Sequence, residues 1–211
     1  MAKNYISMPV IRRLPRYYRH LTNLKNRGIA RISSKELSAL MGLTASQIRQ
    51  DLNCFGGFGQ QGYGYMVDPL RTEIGNIMGI QNSYKAIIVG AGNLGHAVTV
   101  HLSFEIQGFI LTGIFDNDPQ KIGTMLKDQQ ILDIHNIEEF CSKTKPDMAV
   151  LCIPQEAVPG VVEQLYALGI KNYWNFSHYD ISPDYADAIV ENVHLGDSLM
   201  TLCYRISENM I

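Results

Sequence analysis

The sequence predicts an α/β protein in two parts: a basic, helical part, then an acidic part in which strands and helices alternate. Three observations predict it. Charge is divided unevenly, with 11 Lys and Arg against 4 Asp and Glu in residues 1–80, and 7 against 16 in residues 81–211. Apolar residues recur at helical spacings of three and four in the first part, whereas the second part intersperses short strand-like runs. Glycine clusters at 56–64 and again at 90–95. With 211 residues, 46% hydrophobic and 18% charged, the chain can bury a substantial core and does not have a disordered composition. The longest purely apolar run, Met148 to Ile153, has six residues, far short of a membrane span. The stretch from Tyr5 to Ile11 is broken by Ser7 and Pro9 and runs into arginines, unlike the core of a signal peptide. Cys54, Cys141, Cys152 and Cys203 form no Cys-x-x-Cys pair and have no histidine cluster at zinc-finger spacing. They read as scattered free thiols of a cytoplasmic protein, with no metal site.

In the basic part, Val10, Leu14, Tyr17, Leu21 and Leu24 make one apolar helix face. Pro9 suits its start and Gly28 its end, while Pro15 within it threatens a delay or a kink. Arg12, Arg13, Arg16 and Arg19 lie on or near the other face. Two short helices follow. Ser33 to Glu36 reads as a capping box, with Leu37, Leu40 and Met41 on the buried side and Gly42 as the stop. Thr44 to Gln47 reads as a second box, with Ile48, Leu52 and Phe55 buried. Helix, short glycine turn, helix is the helix-turn-helix arrangement. Ser46, Gln47, Arg49, Gln50 and Asn53 lie off the second apolar stripe, and such side chains can reach base edges in a major groove. Five glycines in positions 56–64, interleaved with aromatics, suit a tight hairpin. Beside a helix-turn-helix, that hairpin is a wing. Asp68 and Pro69 read as N-cap and N1 of a further helix whose face is Leu70, Ile74, Ile77 and Met78, closed by Gly79.

After a linker at 81–83, Lys85 to Val89 is a buried-strand run leading into Gly90-Ala91-Gly92-Asn93-Leu94-Gly95 and then a helix. A second strand, Phe109 to Phe115, ends at Asp116, 21 residues past Gly95. This is the dinucleotide fingerprint in its strand–turn–helix context. Gly90 makes the tight turn, Gly92 lets the backbone approach a pyrophosphate, and Gly95 lets helix and strand pack closely. The helix N-terminus offers amide donors to the phosphates. Asp116 accepts from ribose hydroxyls and repels a 2′-phosphate, which favours NAD over NADP. Met148 to Ile153, Ile170 to Phe176 and Ala188 to Val193 read as further strands, with a helix over Val158 to Leu168. Alternating strands and helices mean a parallel sheet covered on both faces, a Rossmann-type domain. Ligands sit beyond the carboxyl ends of such strands, which brings Ile153, Pro154, Asn175 and Phe176 toward the nicotinamide end. The last helix carries Leu195, Leu199, Leu202 and Ile206 on one face, suited either to its own domain or to a second subunit.

A dehydrogenase is the rival reading. No Tyr-x-x-x-Lys occurs, and after the nucleotide domain only one helix remains, leaving no room for a substrate domain. No catalytic residue is assigned. A sensor, with one domain for DNA and one for NAD, fits better.

The chain resembles the Rex family of bacterial redox-sensing transcriptional repressors. The resemblance rests on Arg13-Leu14-Pro15-Arg16-Tyr17-Tyr18-Arg19, Arg31 to Leu37, Ile48-Arg49-Gln50-Asp51-Leu52, Phe55 to Gly59, Gly62 to Tyr65, Gly90 to Gly95, Phe115 to Pro119 and Gly169-Ile170-Lys171. It implies a homodimer with a winged-helix domain in residues 1–80, an NAD(H)-binding Rossmann domain in 81–194, and a swapped dimer helix in 195–211. It further implies repression through double-stranded operator DNA, relieved by NADH. Candidate DNA contacts are Arg16, Ser46, Gln47, Arg49, Gln50, Gln61 and Tyr63. Candidate cofactor contacts are Gly90, Ala91, Gly92, Asn93, Leu94, Gly95, Asp116, Ile153 and Pro154. Arg19, His101 and His194 occupy the switch positions. Four residues depart from the family pattern. Gln50 and Gln61 stand where a basic residue is usual, His101 where a Tyr is usual, and His194 where an Asp is usual. The histidines predict weaker or pH-dependent redox switching, so a dinucleotide-binding regulator with a blunted switch is the alternative, and a small NAD-dependent oxidoreductase a more distant one.

Overall fold

A computed structural model describes residues 6–56, 59–60 and 63–208. The chain divides into two compact units, Met1–Gln81 and Asn82–Ile211. Among the described residues no helix is long and apolar enough to cross a membrane.

The first unit holds α1 (Met8–Asn26), β1 (Arg31–Ile32), α2 (Ser34–Met41), α3 (Ala45–Asn53), β2 (Gly59–Gln60), β3 (Gly64–Met66) and α4 (Val67–Met78). The apolar face of α1 is buried as its spacing requires, with Leu14, Tyr17 and Leu21 fully covered by Leu37, Met41, Ile48, Leu52, Leu70 and Ile74. Pro15 does not interrupt α1, which runs on for 19 residues. Gly28, just past its end, takes φ +72°, a left-handed conformation that glycine adopts without cost.

Three local expectations change. The glycine hairpin is not two-stranded: β3 pairs antiparallel with β2 on one side and with β1 on the other. Gly64 makes this pairing fit, since a Cβ there would come within 2.6 Å of the Ile32 carbonyl oxygen. The helix expected from Asp68 begins at Val67 with Met66 as N-cap, because β3 runs directly into it and the Val67 N–H bonds to the Ala30 carbonyl. Asp68 stands in the first turn instead, where it accepts from Lys25 Nζ at 2.6 Å. The second capping box is half made. Thr44 accepts from the Gln47 N–H, but the Gln47 side chain turns along the helix to Asp51. The first box is complete.

The second unit is a seven-stranded sheet ordered β10-β9-β8-β4-β5-β7-β6. Its members are β4 (Tyr84–Val89), β5 (Phe109–Asp116), β6 (Met125–Leu126), β7 (Gln129–Asp133), β8 (Met148–Leu151), β9 (Asn172–Asn175) and β10 (Ile189–Asn192). All neighbours run parallel except β6 on β7. The helices are α5 (Asn93–His101), α6 (Ile137–Thr144), α7 (Val158–Ala167) and α8 (Leu195–Glu208). Alternation along β4 separates the two faces. Ile87 and Val89 pack with Ile137, Cys141, Val158 and Val162 from α6 and α7, while Ala86 and Ile88 pack with Val98 and Leu102 on the α5 side. Chain order reverses between β4 and β8, and sheets of this kind take ligands beyond the carboxyl ends of the strands at such a point. The amphipathic helix α8 buries none of its residues: Leu199 and Met200 are 67% and 66% exposed.

Candidate functional sites

Two constellations stand out, one in each unit. In the second unit, β4 delivers Gly90 to the crest of the sheet, where its N–H donates to the Phe115 carbonyl at 2.8 Å. The glycines divide the work as their spacing predicts. A Cβ on Gly90, at φ +98°, would strike the Cys152 carbonyl oxygen at 2.4 Å, and one on Gly95 would strike the Gly90 oxygen at 1.8 Å. A Cβ on Gly92 would meet nothing within 4 Å. Gly90 thus lets the turn pass close to the Cys152 backbone, Gly95 lets α5 pack against that turn, and Gly92 faces open space through which a phosphate can reach the backbone. Gly92 is also the N-cap of α5 and supplies no side-chain cap, so amides of the first turn point toward that space. The fold therefore fits a pyrophosphate by shape and by donors.

Asp116 closes one side of the glycine loop. It is buried, and its carboxylate accepts from the Ala91 N–H at 2.7 Å, the Asp118 N–H at 2.8 Å and Lys121 Nζ at 3.3 Å. Burial opposes its ionisation, but the Asp118 and Ala91 amides and Lys121 outweigh that and hold it below the ordinary carboxylate value. Three bonds leave a lone-pair direction for a hydroxyl. Ile153 lies against Gly90, and Pro154 is exposed at the start of the next turn. Cys152, just past the end of β8, is half-buried. Its burial still pushes the thiol up to about 12, so it stays protonated.

In the first unit, α3 presents Ser46, Arg49 and Gln50 to solvent, with Gln47 half-buried among them. Arg49 is steadied by Nη1 donating to Ser34 Oγ on α2 at 3.2 Å. Arg16 on α1 and Tyr63 beside β3 are exposed, whereas Gln61 lies outside the described residues. The switch candidates are less closely tied. Arg19 and His101 are exposed. His194 stacks on His178 at 5.3 Å between ring centroids, and its Nδ1 lies 3.7 Å from Asp197. Within the chain, the ring set against His194 is therefore His178.

Sequence reading missed one buried ionic cluster. Asp51, 1% exposed, accepts from Arg13 Nε and Nη2 at 2.7 Å each, from the Tyr17 hydroxyl at 2.9 Å and from Gln47 Nε2 at 2.8 Å. A signal was present: Asp51 falls on the apolar stripe of Ile48 and Leu52, and a carboxylate there demands buried donors. Lys121, five residues past Asp116, was also missed.

Comparison with known proteins bears on both constellations. Residues 5–53 match a family described as "Putative DNA-binding protein N-terminus", and residues 81–179 match one described as "CoA binding domain". A redox-sensing transcriptional repressor Rex of Thermoanaerobacter sp. (strain X514) is 51% identical over 207 residues, covering 98% of this chain and 92% of that protein. The protein of the same name from Clostridioides difficile (strain 630) is 50% identical over 208 residues, 99% of each chain. Among solved structures, RSP in complex with beta-NAD+ and operator DNA aligns with a TM-score of 0.88 at 50% identity, covering 98% of this chain and 94% of that one. RSP in complex with beta-NADH aligns with a TM-score of 0.87 at 47% identity, covering 97% and 96%.

Proposed function

The chain belongs to the Rex family of redox-sensing transcriptional repressors, and from that premise we propose that it binds operator DNA as a homodimer in the cytoplasm and is released by NADH. The observation that carries the reading is the pairing, in one chain, of a helix-turn-helix having an exposed polar face with a glycine loop whose Gly92 fronts open space beside Asp116. Ser46, Gln47, Arg49 and Gln50 would meet base edges, and Arg16, Gln61 and Tyr63 the flanking backbone and groove. Gly90 to Gly95 would hold the pyrophosphate, Asp116 the ribose, and Ile153 and Pro154 the nicotinamide end. Asp116 also argues against coenzyme A as the ligand, because the ribose of that molecule carries a 3′-phosphate, which a carboxylate repels as it does the 2′-phosphate of NADP. The dinucleotide, when bound, reports its oxidation state. The protein's part is to bind the two forms with different preference in its DNA-binding and released states, a population shift.

The exposed apolar face of α8 supports the homodimer. Truncation after Gly196 should give monomer or aggregate in sedimentation. A soluble, well-folded dimer would count against that role.

The deciding experiment is operator affinity measured with NADH, with NAD+ and with neither. NADH should weaken binding, and equal affinity in all three would overturn the reading. A second reading, a regulator with a blunted switch, is favoured by one observation: His194 sits against His178 and Asp197 and offers Arg19 no fixed negative charge. It is tested by the NAD+/NADH ratio of operator affinities at pH 6 and pH 8, in the natural protein and in His101→Tyr with His194→Asp. A large ratio, indifferent to pH and to the double substitution, would rule it out.

A further inference from the structure

The Gln47 side chain on α3 is not free to turn. Its amide nitrogen donates to Oδ1 of Asp51, one helical turn on, at 2.8 Å. Asp51 in turn is gripped by the Arg13 guanidinium through two bonds of 2.7 Å and by the Tyr17 hydroxyl. An ionised carboxylate only accepts, so the end of the Gln47 amide that meets it must be the NH2 group. One N–H is thereby spent on Asp51. The second N–H and the carbonyl oxygen remain, and they lie side by side when Asp51 holds the hydrogen trans to that oxygen.

That remainder has a definite complement. In the major groove adenine presents an N6 amino donor beside the N7 acceptor, which matches a carbonyl oxygen beside one N–H. Guanine presents two acceptors there. A freely turning glutamine could give both amide hydrogens to them, but with one hydrogen held by Asp51 that option is gone. Thymine offers an acceptor and a methyl group, and cytosine a single donor. Gln47 stands in the first turn of α3, half-buried between the exposed Ser46 and Arg49, where recognition helices meet base edges.

We propose that Gln47 reads one adenine of the target duplex, and that Asp51, clamped to α1 by Arg13 and Tyr17, is the positioning residue that selects adenine over guanine there. The proposal rests on the reading of α3 as a DNA-recognition helix.

The test uses the full chain and a duplex that it selects from a randomised pool. Each adenine of that duplex is replaced in turn by 7-deazaadenine and by guanine, with its partner base adjusted, and affinities are measured at fixed salt. At one position of each half-site both replacements should weaken binding by roughly 5- to 150-fold, the range for one bidentate base contact. Gln47→Ala should abolish that discrimination at the same position and leave the profile elsewhere unchanged. Asp51→Asn puts an amide that can itself accept or donate beside Gln47 and frees it to turn. It should narrow the adenine-over-guanine ratio at least about threefold at that position while the salt dependence, which counts phosphate contacts, stays the same. Should Asp51→Asn fail to fold, Arg13→Gln at a part-exposed site loosens the same carboxylate and must narrow the ratio likewise. An unchanged position profile in Gln47→Ala overturns the adenine assignment. An unchanged ratio in a folded Asp51→Asn or Arg13→Gln protein overturns the positioning role. A pool that yields no duplex overturns the proposed function itself, and this inference with it.

Discussion

Asp51 in the first unit and Asp116 in the second are both buried carboxylates, 1% and 6% exposed, yet their donors come from different sources. Asp51 is satisfied by side chains, two of them from residues 34 and 38 positions earlier in the chain. Asp116 is satisfied mainly by the main-chain amides of Ala91 and Asp118, with Lys121 at its rim. A backbone N–H is present whatever residue stands there, so the second arrangement survives changes in its neighbours. The first depends on the identities of Arg13, Tyr17 and Gln47 and fails if one is lost. Side-chain donors give a tie between helices, and backbone donors hold a carboxylate steady at the edge of the glycine loop.

The largest expected effect is on the tie. Asp51→Ala leaves the Arg13 guanidinium and the buried Tyr17 hydroxyl without their acceptor, and should cost the first unit about 3 kcal/mol. Amide hydrogen exchange in α1 and α3 of the full chain reads that loss directly. Asp116→Ala strips an acceptor from two amides and should cost the second unit about 1–2 kcal/mol, followed through the fluorescence of Trp174 on β9. Equal losses would break the comparison.

Next is cofactor choice. The natural protein should bind NADH well above NADPH, and Asp116→Ala should close about tenfold of that gap, or ~1.4 kcal/mol, in a nucleotide titration. An unaltered gap would remove Asp116 from the ribose.

Acid sensitivity follows from both carboxyls. Each is held below its ordinary value in the folded chain, so the unfolded chain binds more protons. The stabilisation is therefore complete above the unfolded value of about pH 4 and is lost as pH falls through the depressed folded values. For Asp51, burial opposes ionisation and the bonds from Arg13, Gln47 and Tyr17 overcome it. Asp51→Asn should flatten the acid limb of a stability–pH curve, and an unchanged limb would mean that other carboxyls set it.

The smallest effect belongs to Lys121, which is over a third exposed and lies 3.3 Å from Asp116 and 3.5 Å from Asp118. Lys121→Ala should change stability by less than about 1 kcal/mol. With its positive charge gone, Asp116 repels a 2′-phosphate more strongly, and the preference for NADH over NADPH should widen by about two- to threefold. A narrowing would show that Lys121 holds the ribose or phosphate directly.

Much of this molecule was legible before folding, because the determinants lie close together along the chain. The apolar face of α1, the Ser33 capping box, and the tasks of Gly90, Gly92 and Gly95 each follow from residues within a few positions of one another. The parallel sheet follows from the strand–helix alternation, since only crossovers can return the chain in the same direction. Other features needed distant segments to meet. A two-residue strand such as β1 has no periodicity to read, and exists only because β3 lies beside it. The antiparallel edge strand β6 depends in the same way on β7. The partners of Asp51 were set by α1 packing across α3, and that packing in turn settled which way the Gln47 amide faces. His194 found His178 because β9 and β10 are adjacent in the sheet. Local patterns specify elements through short-range sterics and hydrogen bonds. Which buried charge meets which donor is decided only when those elements close on one another and exclude water.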